Sequence, residues 1–146
     1  MTATPLASPA GIHHVRLTVT DIARAKGFYR SLLGVDPAFD FSGESDLEVR
    51  TDPERLYGGC IFPVGDQLLG LRPVADPTDS FVSTRVGLDH VSLQLGSVDE
   101  LRAAAARLAE AGIEHGELKE LPQGLAIVSV QDPDDINLEL MAPLPD

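Results

Sequence analysis

The chain has 146 residues, 43% of them apolar, one cysteine and a formal net charge of −12. That length and apolar content fit one folded domain with its own core and argue against disorder. No apolar run reaches the ~18 residues that a membrane span needs, and so acidic a surface repels nucleic acid and anionic lipid.

Residues 1–10 are small and Pro-rich, without a basic start or an apolar stretch, so a loose lead-in is expected there instead of a signal peptide. Alternating apolar residues Val15, Leu17 and Val19 predict a strand over 14–19, with His14, Arg16 and Thr18 on its other face. Asp21 can cap a helix over 22–33, whose apolar stripe is Ile22, Ala25, Phe28, Tyr29 and Leu32; Gly34 stops it. Gly27, inside that helix, is expected to mark close packing on the sheet. Three strands are expected next, around 46–51, 60–64 and 67–72. The last two are joined by a tight hairpin at Val64-Gly65-Asp66-Gln67. Residues 73–86 lack periodicity and read as a connection. The order then repeats. A strand is expected over 90–95, and a helix over 98–111 with Ser97 and Glu100 at capping-box spacing. Strands follow around 117–120, 125–131 and 136–141, with Asp132-Pro133-Asp134-Asp135 as the final turn.

The repetition is audible residue by residue. Gly11-Ile12-His13-His14-Val15-Arg16-Leu17-Thr18-Val19 aligns without a gap on Gly87-Leu88-Asp89-His90-Val91-Ser92-Leu93-Gln94-Leu95. The expected fold is therefore α+β: two tandem βαβββ modules, 11–72 and 87–146, joined by 73–86 and forming facing curved mixed sheets around a central cavity.

A histidine opening the same strand in both modules suggests two ligands converging on one metal. A 2-His-1-carboxylate site needs a third donor on a neighbouring strand. Glu139 is the candidate: it lies between Leu138 and Leu140, where an unpaired carboxylate is costly. Read singly, His14 also fits an exposed or structural histidine, and Glu139 a solvated edge glutamate. Arg16 shares a face with His14 and can grip an anionic substrate group through its fork or make a salt bridge to a neighbouring acid; the same choice applies to Arg72. Ser92 and Gln94 follow His90 on the cavity face and either line a pocket or are ordinary half-buried polar residues. His13 reads as a surface residue at the strand end, His115 as a turn residue, and Cys60 as a buried core thiol, the lone thiol fitting a cytoplasmic protein.

Three segments carry a resemblance that spans the chain from about Gly11 to Pro143: His14-Val15-Arg16-Leu17-Thr18-Val19-Thr20-Asp21, the helix Ala25-Lys26-Gly27-Phe28-Tyr29-Arg30-Ser31-Leu32-Leu33-Gly34, and Asp132-Pro133-Asp134-Asp135-Ile136-Asn137-Leu138-Glu139-Leu140. In order, spacing and duplication the chain resembles the vicinal oxygen chelate superfamily of glyoxalases, bleomycin-resistance proteins and extradiol dioxygenases. The resemblance implies metal ligands from the first and last strands of each module, falling on His14, His90 and Glu139. It also implies one divalent ion (Fe, Mn, Zn, Ni or Co), a small oxygen-bearing organic substrate and a homodimer. Leu69-Gly70-Leu71-Arg72 aligns with Leu138-Glu139-Leu140-Met141, so Gly70 stands where glyoxalase I and methylmalonyl-CoA epimerases use a carboxylate. That disfavours those two chemistries and leaves a set more similar to the dioxygenases and fosfomycin-thiol transferases. Ring-cleaving members use an extra His and Tyr; the second half here has no tyrosine and only His115 besides His90. The alternative implied function is sequestration of a drug or metabolite without metal chemistry.

Overall fold

The computed structural model describes residues 4–146 and divides them into two compact units that meet in sequence at Pro77–Thr78, inside the expected connection. The first three residues of the lead-in lie outside the described range, and 4–10 carry no helix or strand.

The first unit runs β1 (His14–Thr18), α1 (Ile22–Leu33), β2 (Phe39–Asp40), β3 (Cys60–Val64) and β4 (Gln67–Arg72). Its sheet has the order β1-β4-β3-β2, with β1 parallel to β4 and the other pairs antiparallel. Asp21 accepts from the Arg24 amide at the start of α1, and Gly34 closes it in the left-handed conformation at φ 68°. The alternation works as expected: Leu17, Leu69 and Leu71 are buried with Ala25, Tyr29, Cys60 and Phe62, while His14 and Thr18 are exposed.

The second unit repeats the plan as β5 (Val91–Gln94), α2 (Val98–Glu110), β6 (Lys119–Leu121), β7 (Leu125–Gln131) and β8 (Asn137–Pro143), in the order β5-β8-β7-β6. Leu101, Ala104 and Leu108 of α2 are buried, as are Ala126, Val128, Val130, Leu138, Leu140 and Ala142 of β7 and β8. The Asp132 carboxylate accepts from the amides of Asp134 and Ile136, both at 2.8 Å, which fixes the turn that launches β8.

Two expectations fail here. The stretch 46–51 is not a strand: Leu47–Thr51 forms a 3-10 turn, followed over Pro53–Gly58 by a kinked pair of turns that passes through left-handed Leu56 and Tyr57, and the missing strand is the two-residue β2. Asp46 and Asp52 accept from the amides of Glu48 and Glu54, and these local bonds outcompete a sheet ladder. Gly27 is exposed, and a Cβ built there would touch nothing within 4 Å, so close packing does not explain it.

Candidate metal and substrate site

His90 stands immediately before β5, and β5 runs parallel to β8 in a register that sets Ser92 opposite Glu139. Alternation along β8 turns Leu138 and Leu140 into the core and Glu139 to the other face. There the Ser92 hydroxyl donates to Glu139 Oε1 at 2.9 Å, and Glu139 Oε2 lies 3.8 Å from His90 Nε2. On its far side the imidazole is held by Asp89, with Nδ1 2.6 Å from Asp89 Oδ1. A carboxylate on Nδ1 fixes the ring so that its Nε2 lone pair faces outward, the arrangement that metal-binding histidines use. The side chains of His90 and Glu139 remain 42% and 23% exposed, so an ion can reach them from solvent. Gln94 is exposed on the same face as Ser92.

The equivalent place in the first unit is built differently. His14 opens β1, and its Nδ1 lies 2.9 Å from Nδ1 of His13, so His13 engages His14 where Asp89 engages His90. His13 is thus more than a surface residue at a strand end. The parallel register sets Arg16 opposite Gly70, as it sets Ser92 opposite Glu139. The glycine has a steric reason: a Cβ on Gly70 would sit 2.9 Å from Arg16 Cγ. The arginine stem therefore covers the place that Glu139 fills in the other unit. Arg72, at the end of β4, lies with its Cζ 3.7 Å from the centre of the Tyr57 ring, and Arg16 Cζ is 5.6 Å from the same ring. Tyr57 went unread in the sequence; the adjacent Gly58-Gly59 pair was its only signal.

The remaining candidates have structural explanations. The ring nitrogen Nδ1 of His115 is 2.9 Å from the Ile113 carbonyl, and its backbone bridges Val130. Cys60 is fully buried, and burial, reinforced by the Asp40 charge and opposed by Lys26, pushes its thiol up to about 12. It is no nucleophile at neutral pH. Among the described residues no three His, Cys, Asp or Glu side chains are grouped closely enough to hold a metal ion. What is drawn together is the pair His90 and Glu139, with Asp89 and Ser92 behind them.

A family model for the Glyoxalase/Bleomycin resistance protein/Dioxygenase superfamily matches residues 11–140. The chain belongs to that superfamily. Solved structures agree with the assignment. A glyoxylase/bleomycin resistance protein/dioxygenase domain from Frankia sp. EAN1pec is 29% identical over 93% of both chains, with a TM-score of 0.70. Lactoylglutathione lyase from Agrobacterium tumefaciens shares the fold at 19% identity and a TM-score of 0.69, covering 93% of this chain and 96% of its own. The fosfomycin resistance protein FosX from Listeria monocytogenes does so at 16% identity and 0.66, covering 92% and 94%. No curated protein matches the chain. Superfamily membership makes the two-module α+β plan an inherited one and leaves the chemistry to be argued from the residues.

Proposed function

We propose that this chain is a divalent-metal-dependent enzyme of the superfamily, with His14, His90 and Glu139 as metal ligands and Arg16, Arg72, Ser92 and Gln94 as substrate-binding residues. The observation that carries the reading is the Asp89–His90–Glu139 arrangement. One imidazole nitrogen is engaged by a carboxylate, the other faces a second carboxylate, and both metal-facing groups are open to solvent. The sequence repeat nominates His14 as the third donor, and its Nδ1 is likewise engaged by the preceding residue. Two imidazoles with one carboxylate suit Fe, Mn, Zn, Ni or Co. Such an ion would polarise the oxygen atoms of a small organic substrate and stabilise the negative charge that develops on them.

The chain's own residues supply the rest. Ser92 holds one oxygen of Glu139, so that the other stays turned towards His90. Gly70 brings no carboxylate, and the Arg16 stem lies over it, which disfavours glyoxalase I chemistry and favours a dioxygenase-, lyase- or transferase-like reaction. The lone buried thiol suits the reducing cytoplasm, and two chains pair, two-fold dimers being the commonest assembly. Elemental analysis of anaerobically purified protein tests the reading. One equivalent of a first-row divalent ion is expected. A chain with no ion and no affinity for Fe²⁺, Mn²⁺, Zn²⁺ or Ni²⁺ would instead be a sequestering protein.

A further inference from the structure

We infer that Arg16, Arg72 and Tyr57 form a receptor for a carboxylate group on the substrate. Arg16 supplies the recognising fork, and Tyr57 positions Arg72 beside it. The inference deepens the reading of both arginines as substrate-binding and lies wholly within the first unit.

Composition makes the pair conspicuous. The chain carries 23 acidic residues against 11 lysines and arginines, so a cation here finds an acidic neighbour easily. Others in this unit do: Lys26 pairs with Asp40, Arg30 with Asp36, and Arg55 with Glu44, Asp46 and Asp52. Arg16 and Arg72 do not. Nε and Nη2 of Arg16 and Nε of Arg72 are buried without a hydrogen-bond partner among the described residues. A buried charged donor left unmatched is unfavourable, and a ligand that brings the acceptor recovers that loss on binding.

The orphaned atoms also state the shape of the acceptor. Nε–H and Nη2–H of one guanidinium lie along the same edge and point in parallel, matching the two oxygens of a carboxylate. Arg72 is held by its face, against the Tyr57 ring at 3.7 Å, which leaves its donors in plane. The chain strains its backbone to put that ring there. Leu56, Tyr57 and Gly58 take successive left-handed conformations at φ 53°, 57° and 80°. The next residue, Gly59, passes so close to β4 that a Cβ would lie 1.8 Å from the Leu71 carbonyl oxygen. The turn is pressed onto the strand one residue before Arg72. Left-handed non-glycine residues concentrate at ligand sites, where the surrounding structure enforces them. Planar guanidinium edges beside an aromatic wall fit a flat carboxylate; a phosphate can meet the same fork, and the probes below separate the two.

The test uses ¹⁵N NMR of the arginine Nε–H signals in the intact, metal-free chain. The probes are benzoate, its uncharged isostere benzamide, and phenylphosphonate. Benzoate is expected to move the Arg16 and Arg72 signals saturably and to bind at least about tenfold tighter than benzamide. Arg16→Lys keeps the charge, loses the fork and should weaken benzoate about tenfold. Tyr57→Leu should weaken it about threefold and Tyr57→Phe should restore it, since the ring and not the hydroxyl holds Arg72. Benzoate binding is read in metal-free protein and Co²⁺ binding in a separate titration without benzoate, so metal binding and carboxylate binding fail separately. Equal binding of benzoate and benzamide, or signals that do not move, would overturn the receptor. Phenylphosphonate binding about tenfold tighter than benzoate would overturn its assignment to a carboxylate. The wild-type probe comparison decides the matter even if a variant does not fold.

Discussion

In the first unit Arg16 stands opposite Gly70; in the second, at the same register of the same parallel strand pair, Ser92 stands opposite Glu139. The core sides of these strands have stayed alike: Leu17, Leu69 and Leu71 in one unit answer to Leu93, Leu138 and Leu140 in the other. The opposite sides have diverged in charge, cationic in the first unit and anionic in the second. The comparison teaches that the repeated fold constrains only the face that packs. The other face is free to diverge, here to an arginine over a glycine in one unit and a serine bonded to a glutamate in the other.

Among the residues behind the ligands, the largest effect is expected at Asp89. Asp89→Ala should lower metal affinity by about 10- to 100-fold, because the carboxylate on Nδ1 holds the His90 ring in place. His13→Ala should cost less, since His14 Nδ1 is met by an imidazole and not by a carboxylate. Calorimetric titration of both variants checks this, and a larger loss at His13 would reverse the assignment of roles between the units.

A smaller effect is expected at Gly70. Gly70→Ala puts a Cβ against the Arg16 stem and should destabilise the chain by about 1–2 kcal/mol in urea unfolding, as overpacking does. Unchanged stability would mean that Arg16 does not occupy the place of the missing glutamate. Gly27 gives the opposite sign and the smallest change. It is helical, exposed and uncrowded, so Gly27→Ala should stabilise by about 1 kcal/mol, read as a rise in Tm.

The regular elements were legible because each carries a clean period and a chemical stop: alternating leucines and valines in β1 and β8, Asp21 and Gly34 around α1. The strand expected over 46–51 shows how that signal misleads. Leu47 and Val49 alternate with charged residues, but only Val49 is buried and Leu47 is 84% exposed. The aspartates two residues before Glu48 and Glu54 were the better guide, since their side chains cap tight turns. Two-residue β2 is too short to carry any period. At the site, the repeat and the family resemblance together placed Glu139 and Gly70 at equivalent positions, and the strand registers agree. The contact between His13 and His14 was hidden because strict alternation sends neighbours to opposite faces, a rule that lapses at a strand end. Tyr57 was hidden because nothing local makes a tyrosine adopt a positive φ; the constraint comes from the glycine packed on Leu71 after the chain has folded.

The central claim is that the two histidines and Glu139 hold one divalent ion. Titration of metal-free protein with Co²⁺, followed through its visible absorption, tests it most directly. The wild-type chain should bind one equivalent, and His14→Ala, His90→Ala and Glu139→Ala should each bind about 100-fold more weakly, since each removes one of three protein donors. Wild-type affinity in any one of these folded variants would contradict the claim for that residue, and wild-type affinity in Glu139→Ala would contradict the site.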